Sequence, residues 1–396
     1  MRVLLIAPQP FFVERGTPIA VKLLVETLCE MGHQVDLLTY QEGRDVEVPG
    51  LRIVRIPKLP GVRNIPIGFS WKKAVSDVFL FGRMAVLTSR NRYDVLHAVE
   101  ESVFPAAILR FLFRHKLVYD MDSSLSDQLV EKWQGIKAFK PGMDAFESWA
   151  LRRADLVLPV CPRLGERAGR SVPSERILVL EDIAFEPSES ADGLEDLRQT
   201  HGIQGPLVLY VGNLEHYQGI DLLLESVVSV PKDLSFCLVV IGGTEKAIAL
   251  YSRKAAQLGI GDRVRFGGPK SFGKLPYYLA QADILVSPRI KGENTPMKIY
   301  SYLASGKPVL ATKILSHTQV LDSRSAMLVD TNAPAMAAGL TQLLEDPALR
   351  EEIGRTGKSL ATERYSLAAY KTKLREGYGR LFGDSAAAEL RPRNLG

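Results

Sequence analysis

Cysteine is scarce, with Cys29, Cys161 and Cys237 the only three in 396 residues, far apart and odd in number. No CxxC pair or Cys/His cluster occurs, which excludes a disulfide framework and a structural zinc site and fits a reducing compartment. Long apolar runs are missing as well. Nowhere do about 18 apolar residues follow one another, so no segment reads as a membrane span. The opening MRVLLIAPQP, with one Arg and an apolar run that stops at proline, reads as a strand rather than a signal peptide. One-sided charge is lacking too: 50 Lys and Arg stand against 45 Asp and Glu, and the resulting +5 is too small to imply nucleic acid as a partner. The first strand is not followed by GxGxxG, which argues against a nicotinamide dehydrogenase, because close approach to a pyrophosphate needs those glycines. These absences leave the expectation of a cytoplasmic globular protein.

What is present supports that class. Apolar residues make up 46% and charged residues 24%, the balance of an ordinary globular protein, and the length suits two domains. An apolar strand, Val3 to Ala7, leads to Thr17-Pro18, where Thr17 can cap a helix and Pro18 suits its first turn. Val21, Leu24, Val25 and Leu28 then form a helical stripe, Gly32 ends it, and Gln34 to Thr39 read as the next strand. Further strands are expected near 94–98, 116–120, 155–160 and 176–180, with helices near 102–113, 143–153 and 162–170. The acidic, weakly periodic stretch 183–205 reads as linker and surface. Strands then restart at Leu207 to Val211 and near 236–241, 262–266, 283–287, 308–311 and 326–329. Continuously apolar strands alternating with helices indicate an α/β fold with parallel sheets covered on both faces. The expected domains are therefore 1–182 and 206–362, joined by 183–205. A helix follows at 363–384, packing back toward the N-terminal domain, and then a flexible tail at 385–396. Two such domains facing across a cleft would bind ligands at the carboxyl ends of both sheets.

Two loops stand at such ends. APQPFFVERGTPIA has a single glycine, Gly16, before a helix N-terminus; it is either an anion site or a plain turn. SPRIKGENTPMKIYSYLASGKPVLAT repeats the logic, with Thr295-Pro296 opening an expected helix from Pro296 to Ala304. A phosphate there gains from the orphan amides and the helix dipole. Lys298 adds a full charge on the first turn, unless it is simply a solvated helix lysine.

The chain resembles the retaining glycosyltransferases of family 4, which have the two-domain GT-B fold and use nucleotide-sugar donors. The resemblance runs through RGTPIAVKLLVETLCEMGHQVDLLTY, YDVLHAVEES, YVGNLEHYQGIDLLLES, DRVRFGG, LPYYLAQADILVSPR and GENTPMKIYSYLASGKPV. It implies an acceptor-binding N-terminal domain and a donor-binding C-terminal domain, with front-face transfer and retention. The donor would meet Gly212, Asn213, Gln218, Gly219, Gly243, Arg265, Asn294, Thr295, Pro296 and Ser301. Glu293 matches the first glutamate of the family's Glu-x7-Glu, which touches the donor sugar, whereas Ser301 stands at the second. Asn213 and Gln218 stand where the family often has Arg and Lys on the diphosphate. A hydrogen bond to a charged group contributes roughly 1.5–3 kcal/mol, so losing both cations costs about 3–6 kcal/mol unless another group compensates. Lys298 is the best substitute, with Arg289 and Lys307 behind it.

On the acceptor side, Asp122 stands where the family often has a catalytic-site histidine; it either serves catalysis or caps the next helix, with Ser123, Ser124 and Ser126 as rivals. Arg15, Gly16, Thr17, His97, Glu100 and His216 are further acceptor or phosphate-loop candidates. Asp120-Met121-Asp122 is the sole Asp-x-Asp and lies in the N-terminal half, so neither metal nor other cofactor is expected beyond the nucleotide sugar as co-substrate. An inactive GT-B scaffold and a sugar-nucleotide epimerase remain as alternative readings.

The charge is unevenly placed. From Leu51 to Tyr93 there are nine Lys/Arg and one acid, Asp77, in a segment that also holds Trp71, Val75, Phe79, Leu80, Phe81 and Met84 in a helix expected from Ser70 to about Ser89. RFLFRHK, residues 110–116, is a second basic and aromatic patch. Both suit the inner face of an anionic membrane, where a lipid-linked acceptor or glycan precursor would be met. A core-packed helix with a solvated basic edge is the other reading.

Overall fold

Strands made of uninterrupted apolar residues need helices on both faces, and the chain builds that arrangement twice. The computed structural model describes residues 1–13, 16–66, 70–184 and 190–382. The chain divides into two units, Met1–Glu181 together with the chain from Lys371, and Asp182–Tyr370.

The first unit runs β1 (Arg2–Ile6), α1 (Gly16–Glu30), β2 (Gln34–Thr39), β3 (Leu51–Arg55), α2 (Trp71–Arg90), β4 (Val95–Val99), α3 (Val103–Leu109), β5 (Lys116–Met121), α4 (Leu125–Lys132), α5 (Lys140–Arg153), β6 (Leu156–Pro159) and α6 (Pro162–Gly169). The second runs α7 (Leu197–His201), β7 (Leu207–Val211), α8 (Ile220–Ser229), β8 (Cys237–Ile241), α9 (Glu245–Gln257), β9 (Val264–Gly268), α10 (Leu275–Gln281), β10 (Ile284–Ser287), α11 (Met297–Ala304), β11 (Val309–Thr312), α12 (Leu315–Thr318), β12 (Met327–Val329), α13 (Ala333–Glu345) and α14 (Pro347–Arg364). The final helix, α15 (Leu367–Phe382), belongs to the first unit from Lys371 onward.

Each unit is a six-stranded sheet, ordered β3-β2-β1-β4-β5-β6 and β12-β11-β10-β7-β8-β9, with every strand pair parallel. In the first, β1 sets Leu5 beside His97 of β4. One face packs Leu4, Ile6, Leu96 and Tyr119 against Leu80 and Met84 of α2, Val103 of α3 and Leu151 of α5. Side chains alternate across a strand, so the neighbours of these residues face the other way. There His97 meets Tyr378 of α15, and Gly377 packs among Leu156, Leu158 and Leu178. In the second unit, Val208 and Tyr210 face α8, α9 and α13, while Leu207, Leu209 and Leu285 face α10 and α11.

Strand order reverses between β1 and β4 and again between β7 and β10. At such switch points the loops leaving the two strands diverge and a crevice opens beyond their carboxyl ends.

Several local expectations are corrected. Helix α1 starts at Gly16, so Thr17 lies inside it rather than capping it. At α11 the cap position is Pro296, and among the described residues no side chain caps the helix and the buried Thr295 Oγ1 has no hydrogen-bond partner. Residues 176–180 form no strand; Ile177 makes an isolated bridge to Val157 and the rest runs beside β6. Within 183–205, read as linker, α7 is capped by Asp196, and its fully buried Leu197 donates its N–H to Gln281. Strand β3 has no counterpart in the sequence reading.

Candidate active site

In the second unit the crevice lies between the loop after β7 and the loop after β10. Backbone geometry demands glycine at two places here. Gly212 has φ +152°, and a Cβ on it would lie 2.9 Å from the Tyr210 hydroxyl and 3.1 Å from Lys298 Nζ. Gly219 has φ +75°, and its Cβ would come within 1.9 Å of the Pro288 carbonyl oxygen, so the two loops touch backbone to backbone. Tyr210 donates its hydroxyl to the Asn213 carbonyl at 2.6 Å, and the Val211 N–H donates to the Tyr302 hydroxyl at 2.9 Å, which pins the strand end from both sides.

Lys298, on the first turn of α11, is buried at this point. Its Nζ donates to Gln218 Oε1 at 3.0 Å and sits 4.2 Å from the centre of the Tyr210 ring. Among the described residues no carboxylate pairs with it. Burial, with Arg289 adding repulsion, pulls its pKa down from 10.5 to about 7. A buried ammonium held by a neutral amide and a ring face is poorly compensated. An anion arriving here would restore the lost solvation, and the N–H groups of α11's first turn would add to it.

The remaining donor candidates divide. Gln218 is buried and committed to Lys298. Asn213 accepts the Glu215 N–H at 3.3 Å and donates to the Tyr217 hydroxyl at 3.4 Å, so it shapes its own loop. Asn294 offers its carbonyl to Arg289, whose guanidinium lies over the Tyr217 ring. Glu293 is exposed, and Gln319 holds its backbone carbonyl at 2.6 Å. Ser301 is buried on α11. Gly243, with φ +85°, backs onto Leu214. His216 is exposed, 3.7 Å from Asp221.

Two expected residues lie elsewhere. Arg265 stands near the amino end of β9 and spends its guanidinium on the Gly261 and Val264 carbonyls, so it does not reach the crevice. Lys307 precedes β11 and so sits at the amino edge of the sheet.

Sequence reasoning missed the support beneath this loop. His317 is fully buried, with Nδ1 2.8 Å from the Thr312 carbonyl and Nε2 3.0 Å from the Ser287 hydroxyl. Burial drops its pKa to about 4, so it is neutral at pH 7, donating from Nδ1 and accepting at Nε2. Thr312 in turn donates its hydroxyl to the Arg289 carbonyl. A lone histidine after a strand carries no sequence signal for this role.

In the first unit the corresponding crevice collects titratable groups. Glu100, directly after β4, has φ +49°, a conformation that side-chain-bearing residues rarely adopt and that persists only where surroundings enforce it. Burial first, then the neighbouring Glu101, raise its carboxyl to about 7, and Ser123 donates to it at 3.3 Å. Lys73 of α2 pairs with Glu101 and donates to the Pro8 carbonyl at 3.0 Å. Asp77 accepts from the Tyr40 hydroxyl, and burial raises it to about 6 despite Lys73. That Tyr40, Lys73, Asp77 and Glu101 group together was invisible in the sequence, because they come from three separate segments.

Asp122 is half-buried just past β5, and the cap of α4 is Ser124, which accepts from the Asp127 N–H; the capping reading of Asp122 therefore falls. His97 does not face this crevice. It lies within β4 with no exposed surface, bonded to Tyr378 at 2.8 Å and 3.6 Å from Asp120, on the α15 side. Gly16 and Thr17 open α1. Arg15 lies outside the described residues.

Both halves find known relatives. Residues 195–360 match the family described as "Glycosyl transferases group 1" and residues 15–181 the "Glycosyl transferase 4-like domain". An alpha-D-kanosaminyltransferase of Streptomyces kanamyceticus is 26% identical over 58% of this chain and 61% of its own. Two further curated relatives are matched over 42% and 41% of their lengths, so the chain spans about half the length of the first curated relatives it matches. Among solved structures, sucrose-phosphate synthase of Thermosynechococcus elongatus has TM-score 0.76 at 22% identity, covering 96% of this chain and 99% of that one. Anabaena HepE in complex with UDP-glucose has TM-score 0.72 at 17% identity, covering 96% and 99%. Through both of its halves, the chain belongs to the GT-B glycosyltransferases of group 1, the family-4 type.

Proposed function

We propose that the protein transfers a glycosyl group, with retention, from a nucleoside-diphosphate sugar to a hydroxyl of a lipid-linked or cell-surface glycan precursor. Lys298 carries the donor half of this reading: it is a desolvated cation without a carboxylate partner among the described residues, set at a helix N-terminus beside Gly212 and Gln218. The relatives support the choice of anion, since the HepE structure contains UDP-glucose.

In the proposed step the anomeric C–O bond to the diphosphate breaks and the acceptor oxygen takes its place on the same face. The diphosphate leaves with the bonding electron pair, and the acceptor proton passes to that leaving group. Lys298 and the α11 amides stabilise the departing charge, and preorganised groups of this kind supply much of the barrier lowering in transferases. Glu293 holds sugar hydroxyls, and Asp122 and Glu100 orient the acceptor. Turnover without a divalent metal is part of the reading; activity abolished by a chelator would overturn that part.

Thermal-shift measurements against UDP, ADP, GDP and their sugars test the donor assignment. One nucleotide is expected to stabilise the wild type and to stabilise Lys298→Met markedly less. A flat panel would overturn it and return the inactive-scaffold reading. NMR of the anomeric proton of a turnover product tests retention.

A further inference from the structure

Helix α2 is apolar on two opposite sides. Ser76, Leu80, Met84 and Leu87 form one stripe, buried in the core. Trp71, Val75, Val78, Phe79 and Val86 are exposed, Trp71 by 63% and Val78 by 69%. Together with Gly82 and Ser89 they follow steps of three and four, giving a solvent-facing stripe about 27 Å long. A helix that needs only to cover a sheet has no use for a second apolar face. Helix α3, over the same core cluster, continues the feature: Ile108 is exposed at its end, and Phe111 and Leu112 in the turn beyond, Leu112 by 73%.

Charge selects the occupant. Of the nine basic residues in 51–93, Arg52, Arg55 and Lys73 pair with Asp36, Asp45 and Glu101. Lys72 donates to the Arg63 carbonyl. Lys58, Arg63, Arg83, Arg90 and Arg92 pair with no carboxylate among the described residues. The single acid of the segment, Asp77, is turned inward to Tyr40. On the helix, Lys72, Arg83 and Arg90 fall on one flank of the exposed stripe, at steps of eleven and seven. Beside the second patch, Arg114 is likewise unpaired among the described residues, and the Arg153 guanidinium lies 4.2 Å over the Phe111 ring. A partner protein of mixed charge would call for mixed charge here; an apolar stripe with a purely basic flank fits lipid tails beneath anionic headgroups. No helix among the described residues is long and apolar enough to cross a membrane, so contact would be with the surface.

We infer that the outer face of α2, with the end of α3, docks the protein onto an anionic bilayer, α2 lying along the interface. This rests on the first unit alone and is independent of the donor assignment.

The full chain is sedimented with neutral phosphatidylcholine vesicles and with vesicles containing 30 mol% phosphatidylglycerol. Binding is expected to the anionic vesicles only and to weaken with salt. Arg83→Glu/Arg90→Glu and, separately, Trp71→Ser/Val78→Ser should each lower partitioning at least about tenfold. Both pairs are exposed, so melting and nucleotide stabilisation should stay at wild-type values, which separates failure here from failure of the donor reading. Wild-type Trp71 fluorescence, assigned with Trp71→Phe, should be quenched by brominated lipid. Equal binding to neutral vesicles, no binding to either, or variants that partition like wild type would overturn the inference. So would a wild-type dimer in solution that the Trp71/Val78 variant dissolves, because the stripe would then belong to a second copy.

Discussion

At Lys298 the molecule carries a charge that its own fold does not satisfy. With a folded pKa of about 7 against 10.5 when exposed, the native state sheds this proton first, so unfolded chains bind more protons between those values. Stability from this group therefore rises with pH above about 7 and is at its minimum below it. Donor binding has the opposite sense, because the protonated form grips the diphosphate. Nucleotide affinity is expected to weaken above pH 7, by up to tenfold per unit, and titration calorimetry across pH 6–9 checks it. Lys298→Met should remove that slope and cost about ten- to a hundredfold in affinity, while leaving the unliganded melting temperature equal or higher. Gly219→Ala makes a different prediction at the same scale. With φ +75° and the Pro288 carbonyl in the way, it should destabilise the second unit by roughly 1–3 kcal/mol in urea unfolding, with loss of nucleotide binding as the loops part.

At the scale of elements, α15 is held by the first unit through a stack of rings. Tyr378 lies between His33, 5.6 Å away, and His97, 6.1 Å away, and its hydroxyl bonds His97 Nδ1. Tyr378→Phe leaves that nitrogen buried and unpaired, and a loss of about 1–3 kcal/mol is expected in denaturant unfolding. His33 is pulled down to about 4, first by burial and then by the chain's amino terminus, with Asp94 opposing. Its folded pKa lies below the ordinary 6.5, so it contributes stability above pH 6.5 that is lost as pH falls toward 4. Protection factors along α15, taken from hydrogen-exchange rates corrected for the intrinsic pH dependence, should fall over that window.

The elements also show what was legible beforehand. Buried parallel strands read as apolar runs, so β1, β2, β4, β5 and the strands from β7 onward stood out. Strand β3, at the edge of its sheet, did not, because Arg52 and Arg55 interrupt its apolar run. Helix α2 was expected as a helix in a basic segment, either on a membrane or packed in the core, and it has two apolar faces; periodicity shows that residues repeat, and only neighbours decide which repeat is covered. The caps at Thr17 and Thr295 failed for a related reason: a Thr-Pro pair marks a helix start to within a residue or two, and cap geometry is settled by the backbone.

For the whole molecule, removing the chain from Lys371 takes away a helix that packs on His97, Leu156 and Leu158 of the first unit. Calorimetry of the protein truncated after Tyr370 is expected to show the first unit's transition lowered or lost, with nucleotide still raising that of the second unit.

Strand order along the chain, the two-unit plan, the basic N-terminal segment and the candidate lysine at a helix start were all determined by sequence alone, because each is a pattern among near neighbours. The tertiary structure decided which charges are spent and which are free. It gave Arg265 to the carbonyls of its own turn, buried His97 behind the sheet, and left Lys298 with a ring and an amide. Those outcomes depend on residues brought together from distant segments, and whether a charged group is desolvated is a property of its surroundings.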